Sequence, residues 1–188
     1  MPILENPFET QGLVPDVIPA MPIARLEVEY PNNFAIDPGC RVEPKQVRQA
    51  PLNLKWDADS NKKYTIMMID CDAPMRERPS HRDWLHWMVV NVPGDNINRG
   101  VTKADYIGAA PPRGSGLHRY ITMVFEQPAS LHVNEFGHVR ANSQKHRDRF
   151  QTKKFLGRYH LGPAPVAATL FEAEYDDIVP EIHAQFKD

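Results

Sequence analysis

Hydrophobic and polar residues follow a pattern that predicts strands more often than helices. Apolar residues alternate with polar ones over 26–30 and again over 52–56, as in half-buried strands. Three longer apolar runs, at 64–69, 87–92 and 119–125, have the length of strands and are bounded by turn residues. We therefore predict that these three runs are buried central strands.

Helical signals are fewer. Pro44 can open a short helix, because proline suits the first helical turn. Residues 143–159 contain six basic side chains and one acidic one, which predicts a helix with a solvated basic face. Ile178, Ile182 and Phe186 are four residues apart and form one apolar stripe on a predicted C-terminal helix. Together, these patterns predict a mainly β protein with peripheral helices. They do not distinguish a β-sandwich from a β-barrel.

Composition narrows the class of protein. A length of 188 residues predicts one domain over 1–188. The 18 prolines are spread along the chain and favour strands and loops over a helical bundle. The net charge of −2 lacks the basic excess of nucleic-acid-binding proteins, so we expect no nucleic-acid partner.

The predicted compartment is the cytoplasm. No window approaches 18 consecutive apolar residues, so no membrane span is predicted. Residues 1–7 lack a basic region followed by an apolar run, so no secretory signal is predicted. Cys40 and Cys71 are too few for a disulfide framework, and we expect free thiols in a reducing compartment.

The first candidate site follows the run at 64–69. Asp70 and Asp72 are two residues apart and would lie on the same side of an extended chain. They can be solvated turn acids, a metal clamp or a phosphatase-type nucleophile pair. The last interpretation is weak, because Ala73 and Pro74 stand where a hydroxyl residue is expected.

Two further segments carry candidate chemistry. His86 lies in an apolar strand, where a core histidine bonded to a carbonyl is more frequent than a ligand. The glycine-rich loop 108–116 can present backbone N–H groups to an anion. On the strand after it, His118 and Tyr120 share one face, while Arg119 points to the other and is predicted to form a structural ion pair.

Taken in order, these segments resemble the phosphatidylethanolamine-binding protein family, which includes the Raf kinase inhibitor proteins. The motifs are Asp-x-Asp-Ala-Pro, Trp-x-His-Trp, Pro-Pro-x-Gly-Ser-Gly and Leu-His-Arg-Tyr, and the resemblance runs from about Val14 to the end. The animal branch is more similar than the plant branch, because residues 112–118 and 176–177 match its loop and C-terminal region.

The resemblance implies a two-sheet antiparallel β fold of the phosphatidylethanolamine-binding type, with one small anion pocket and no catalytic cycle. It also implies a cis Ala73–Pro74 peptide. The residues that it places at the pocket are Asp70, Asp72, Ala73, Pro74, His86, Gly108, Ala110, Pro112, His118 and Tyr120. We add His183, which stands on the C-terminal helix where animal members carry a tyrosine that covers the pocket.

Two carboxylates in a phosphate pocket need an explanation, because they repel the anion. Our hypothesis is that Asp70 and Asp72 accept hydrogen bonds from His86 and His118 and orient both rings. The imidazoles, backbone N–H groups and the Tyr120 hydroxyl would then face the anion.

Two other residues depart from the family pattern. Cys71 replaces the proline of Asp-Pro-Asp and would put a thiol beside the pocket. Lys154, before Phe155, replaces the phosphorylatable serine of mammalian kinase inhibitors, so we expect no copy of that phosphoserine switch.

The predicted function is non-enzymatic binding of phosphorylated headgroups such as phosphoethanolamine, together with modulation of kinase signalling. The alternatives are a serine protease inhibitor and, third, a metal-dependent hydrolase that uses the Asp/His cluster. We expect no cofactor and no resident metal. The expected partners are a phospholipid headgroup or similar anion and a protein kinase or serine protease. The predicted state is a monomer with at most peripheral membrane contact.

Overall fold

The computed structural model describes residues 6–188. Residues 1–5, on which most of the prediction about a secretory signal depends, lie outside that range. The described strands are β1 (Ala24–Arg25), β2 (Glu27–Tyr30), β3 (Phe34–Ala35), β4 (Cys40–Arg41), β5 (Asn53–Lys55), β6 (Lys63–Asp70), β7 (Trp84–Pro93), β8 (Val101–Ala104), β9 (His118–Gln127) and β10 (Ala167–Ala173). The helices are α1 (Pro7–Thr10), α2 (Thr152–Arg158) and α3 (Val179–Ala184), with 3-10 turns at Pro44–Val47 and Ile97–Arg99.

The strands form two sheets, as predicted. The larger sheet has the order β1-β10-β9-β6-β7-β8, with β4 also paired to β10. The smaller sheet has the order β3-β2-β5. Pairing between the long strands is antiparallel, while β1 and β4 join β10 in parallel. The three predicted central strands are β6, β7 and β9, and they are neighbours in the larger sheet.

Apolar layers cover both faces of the larger sheet. Along β6, Ile66 and Met68 pack toward residues of the smaller sheet, while Met67 and Ile69 pack in a second core with residues of α1 and α2. Because both faces of the strand are buried, its sequence is continuously apolar and does not alternate.

Several predictions made from periodicity need correction. Leu52 precedes β5 and is 71% exposed, so it is not part of the predicted buried face. Within β5, Leu54 is buried between two exposed residues, as the alternation predicts. The helix predicted within 143–159 is confined to α2, and Arg147 in the same basic segment is fully buried. Composition cannot show which cation of a basic segment is buried.

The C-terminal helix is confirmed, but its buried face differs from the predicted stripe. Val179 and Ile182 are buried in α3, whereas Ile178 caps the helix and Phe186 lies beyond its end. No helix within residues 6–188 is long and apolar enough to cross a bilayer.

Gly108 has a packing role. A Cβ atom there would lie 2.9 Å from both the Arg48 Cα and the Val47 carbonyl oxygen. Backbone atoms cannot yield as a flexible side chain can, so this position requires glycine to let two loops approach each other.

Gly108→Ala should therefore destabilise the protein by about 1–3 kcal/mol, the usual cost of overpacking. Gly157→Ala is the matched control, because the added methyl group meets nothing within 4 Å in α2. The control should stabilise the fold by about 0.5–1 kcal/mol. Urea denaturation measures both, and equal free energies of unfolding for the two variants would contradict this role.

Candidate functional site

A cavity of about 330 Å³ lies at one edge of the larger sheet. There β6 ends at Asp70, and the register pairs Asp70 with Trp84 at the start of β7 and with Tyr120 near the start of β9. Three strand ends therefore meet at one place. The lining residues are Asp70, Ala73, Pro74, His81, Trp84, His86, Ile107, Ala110, Pro112, His118, Tyr120, Gln144, His183 and Phe186.

The structure brings together most of the residues predicted for the site. Asp72 and Gly108 do not line the cavity; the other nine do, and their role in binding stays a prediction. The sequence interpretation missed His81, Trp84, Ile107, Gln144 and Phe186. Trp84 is two residues before His86 on the same strand, so alternation could have found it. Gln144 and Phe186 come from distant segments and carry no local signal.

Asp70 and His118 form one hydrogen-bonded unit. The Nδ1 atom of His118 lies 2.8 Å from Oδ2 of Asp70, and its Nε2 lies 2.9 Å from Oγ of Ser115. Burial opposes charge on the ring, but the hydrogen bond and charge of Asp70 outweigh it and raise the pKa of His118. The predicted bond between His118 and an acid is confirmed.

Asp72 has a structural role. Both of its oxygens accept bonds from Arg119, at 2.8 Å from Nε and 2.8 Å from Nη2, and the carboxylate is fully buried. Burial would raise the pKa of Asp72, but these bonds and the guanidinium charge hold it below its ordinary value. The ion pair predicted for Arg119 is thus confirmed. The expectation that Asp72 faces the same way as Asp70 is wrong, because the chain turns after Asp70.

His86 differs from the hypothesis made for it. Its Nδ1 atom lies 2.8 Å from the carbonyl oxygen of Ile107, so the ring is oriented by backbone and not by an acid. Burial lowers the pKa of His86 to about 4, so the ring is neutral at pH 7. His86 is therefore a buried histidine bonded to a carbonyl and also lines the cavity.

The Tyr120 hydroxyl is buried and has no hydrogen-bond partner within residues 6–188. Tyr120 lines the cavity, with its ring stacked 5.2 Å from that of Phe171. Burial, and then the charge and hydrogen-bonding oxygens of the nearby Asp70 carboxylate, raise the pKa of this hydroxyl well above 10. The hydroxyl is therefore a neutral donor that lies close to Asp70 but forms no well-aligned hydrogen bond within residues 6–188.

Arg147 places a positive charge behind the cavity wall. Its guanidinium donates to backbone carbonyls that include those of Leu85 at 3.0 Å and Asp105 at 2.9 Å. It lies 5.5 Å from the ring of Trp84, and no carboxylate in residues 6–188 forms an ion pair with it. Burial lowers the pKa of Arg147 to about 10, so it stays charged at neutral pH.

The mouth of the cavity is formed partly by the C-terminal segment. His183 Nε2 lies 2.9 Å from the carbonyl oxygen of Ala110, and the ring of Phe186 lies 6.0 Å from that of Trp84. The predicted cis peptide at Ala73–Pro74 is confirmed. The thiol expected beside the pocket is not there, because Cys71 packs in the core and contacts the Arg119 carbonyl.

Fold and site together define a two-sheet β protein with a small cavity at an edge of the larger sheet. The family model described as Phosphatidylethanolamine-binding protein matches residues 27–172. The chain belongs to the phosphatidylethanolamine-binding protein family.

Individual relatives agree with this assignment. A Drosophila melanogaster protein named "Putative odorant-binding protein A5" is 37% identical over 170 residues, which are 90% of this chain and 80% of the relative. The solution structure of CG7054 is 33% identical, covers 94% of this chain and 98% of its own, and has a TM-score of 0.74.

A carboxypeptidase Y inhibitor, solved with its cognate proteinase, shares the fold at a TM-score of 0.74 and 23% identity, over 90% of this chain and 94% of its own.

Asp72→Asn should lower the free energy of unfolding by about 3–5 kcal/mol at pH 7, because it leaves the Arg119 charge buried without a partner. A lowered carboxyl pKa stabilises the fold above the ordinary value of 3.8, and this stabilisation is lost as the pH falls through the folded-state pKa. The deficit of the variant should therefore shrink in acid.

Denaturant titrations at pH 7 and below pH 4 measure this effect. Asp177→Asn, which changes an exposed carboxylate, is the control and should differ from the parent by less than about 0.5 kcal/mol. A deficit for Asp72→Asn that stays constant with pH would contradict the assignment of Asp72.

Proposed function

We propose that the protein binds, without catalysis, a phosphorylated headgroup of the phosphoethanolamine type in this cavity. The observation that carries the proposal is the buried Tyr120 hydroxyl without a partner. Leaving a buried donor unpaired costs about 1–3 kcal/mol, which a bound acceptor recovers. A phosphoryl oxygen is such an acceptor.

The charges around the cavity support an anionic ligand. Asp72 is neutralised by Arg119, and Asp70 is paired with His118, whose pKa is raised. Arg147 then remains as a buried positive charge, 5.5 Å from the ring of Trp84 and with Nη1 3.3 Å from the carbonyl oxygen of His86. The two carboxylates that seemed to oppose phosphate binding are therefore compensated within the protein.

A small apolar ligand is the second candidate. The relative from Drosophila melanogaster is named as an odorant-binding protein, and Trp84 and Phe186 give this cavity an aromatic wall. Displacement of phosphoethanolamine by uncharged aromatic compounds of similar size would favour this candidate over the first.

The other two alternatives have less support. A metal-dependent hydrolase needs several ligands, but Asp72 is committed to Arg119, and no group of three or more His, Cys, Asp or Glu side chains in residues 6–188 is arranged to hold a metal ion. A serine protease inhibitor is supported by likeness of fold alone, through the carboxypeptidase Y inhibitor.

For the cellular role, we propose the modulation of kinase signalling by a cytoplasmic monomer with at most peripheral membrane contact. Its support is the resemblance to the kinase-inhibitor branch and the free thiols of Cys40 and Cys71. Because Lys154 replaces the phosphorylatable serine, any regulation of this role would not follow the mammalian switch.

Tyr120→Phe should weaken phosphoethanolamine binding by about tenfold or more, because it removes a hydrogen bond to a charged group. The fold should be as stable as the parent or slightly more so, since the hydroxyl has no internal partner. Isothermal titration calorimetry and thermal unfolding measure the two effects.

Tyr106→Phe is the matched control. Its hydroxyl donates to the Val47 carbonyl at 2.7 Å and lies outside the cavity, so this variant should lose stability and keep its affinity. Unchanged affinity in Tyr120→Phe would show that the phosphoryl group does not reach this hydroxyl.

A further inference from the structure

The C-terminal segment is tied to a surface loop by three hydrogen bonds, which together we call the clasp. The backbone N–H of Lys187 donates to the Asn142 carbonyl at 2.9 Å. The Asp188 carboxylate accepts from the backbone N–H of Gln144 at 2.8 Å and from the Ser143 hydroxyl. Two of the three bonds therefore depend on one carboxylate.

The clasp lies beside the mouth of the cavity. Phe186, which directly precedes it in the chain, lines the cavity with its ring 6.0 Å from that of Trp84. Gln144, on the loop side of the clasp, lines the same cavity. Opening the clasp would therefore release one of the contacts that hold Phe186 at the mouth.

A single added charge on Ser143 would open the clasp. Asp188 is exposed, and the hydrogen bond from the Ser143 hydroxyl holds the pKa of its carboxyl below the ordinary value, so this group is charged at pH 7. A phosphate on Ser143 would remove the hydroxyl donor and place a charge of about −1.5 to −2 beside the carboxylate. Like charges at hydrogen-bonding distance repel each other, so the bond would be replaced by repulsion.

The sequence before Ser143 is typical of kinase substrates that are recognised through a basic residue. Arg140 stands three residues before it, and of the five serines in the sequence Ser143 alone has arginine at this spacing. Arg140 is exposed and forms no ion pair within residues 6–188, so it is free to pair with acidic side chains of a kinase. Residues 140–146 contain neither helix nor strand, and Ser143 is half-buried at the surface.

We propose that Ser143 is a phosphorylation site for a basophilic serine/threonine kinase, and that phosphate there opens the clasp. The kinase transfers the γ-phosphoryl group of ATP. The bond between the γ-phosphorus and its bridging oxygen breaks, a bond to Oγ of Ser143 forms, ADP leaves, and the hydroxyl proton passes to the catalytic base of the kinase. This regulation acts on the cavity mouth and is independent of which ligand the cavity binds.

Incubation with ATP and a calcium/calmodulin-dependent protein kinase, which requires arginine three residues before its target, tests the site. Mass spectrometry should locate the phosphate on Ser143. Arg140→Ala should slow phosphate incorporation by about tenfold or more, because it removes a charge-assisted contact with the kinase. Arg149→Ala is the matched control, since it removes another exposed cation of the same basic segment and should leave the rate unchanged.

Thr102 provides an internal reference for this experiment. It is exposed and has Arg99 at the same spacing, but it lies within β8, where the chain is paired to β7. Absence of phosphate from Ser143, with or without phosphate on Thr102, would overturn the site.

Hydrogen exchange at single backbone amides, followed by NMR, tests the effect on the clasp. The amides of Gln144 and Lys187 both donate within the clasp, so their exchange should become about tenfold faster or more after phosphorylation. The Leu85 amide donates to the Arg147 carbonyl outside the clasp and should exchange as before. Unchanged exchange at Gln144 and Lys187 in protein phosphorylated on Ser143 would show that the clasp does not respond.

Asp188→Asn separates charge repulsion from a general disturbance of the loop. The amide oxygen can still accept from the backbone N–H of Gln144, and the amide nitrogen can donate to a phosphate on Ser143. Phosphorylation of this variant should therefore leave exchange at Gln144 and Lys187 nearly unchanged. An acceleration equal to that of the parent would contradict repulsion between Asp188 and the phosphate as the cause.

Discussion

The buried ion pair between Asp72 and Arg119 determines how the cavity is built. Asp72 accepts from the backbone N–H of Arg119 at 2.9 Å as well as from its guanidinium, so it ties the turn after β6 to the start of β9. Side chains alternate along a strand. Holding Arg119 on one face therefore holds His118 and Tyr120 on the other, toward the cavity. The chemistry of the site depends on an ion pair that does not line it.

Arg147 is the opposite case, a buried charge that forms no ion pair within residues 6–188. Its guanidinium donates to backbone carbonyls that include those of Leu85 in β7, Asp105 directly after β8, and Arg140, seven residues before Arg147. These hydrogen bonds connect the segments that form this wall of the cavity. Carbonyl dipoles satisfy the guanidinium hydrogen bonds but leave its net charge in place. The hydrogen bonds that stabilise the wall thus also hold a positive charge beside the cavity, and substitution of this residue would disturb both.

The strands and part of the site could be predicted from the sequence, because both depend on the local pattern of apolar and polar residues. The period of two correctly separated Arg119 from His118 and Tyr120, and the continuous apolar runs correctly predicted β6, β7 and β9. It failed at Asp72, where the chain leaves the strand and the period no longer applies. The prediction from composition failed at Arg147. A basic segment is expected to be solvated, and the distant backbone carbonyls that bind the Arg147 guanidinium leave no local signal in the sequence.

The two histidines of the cavity show why a list of site residues does not define its chemistry. Burial keeps the His86 ring neutral, and the Ile107 carbonyl fixes the proton on its Nδ1 atom. At His118 the Asp70 carboxylate outweighs burial and raises the pKa of the ring. The pKa of the same side chain is therefore shifted in opposite directions in the two positions, and the Asp70 carboxylate beside His118 decides the difference.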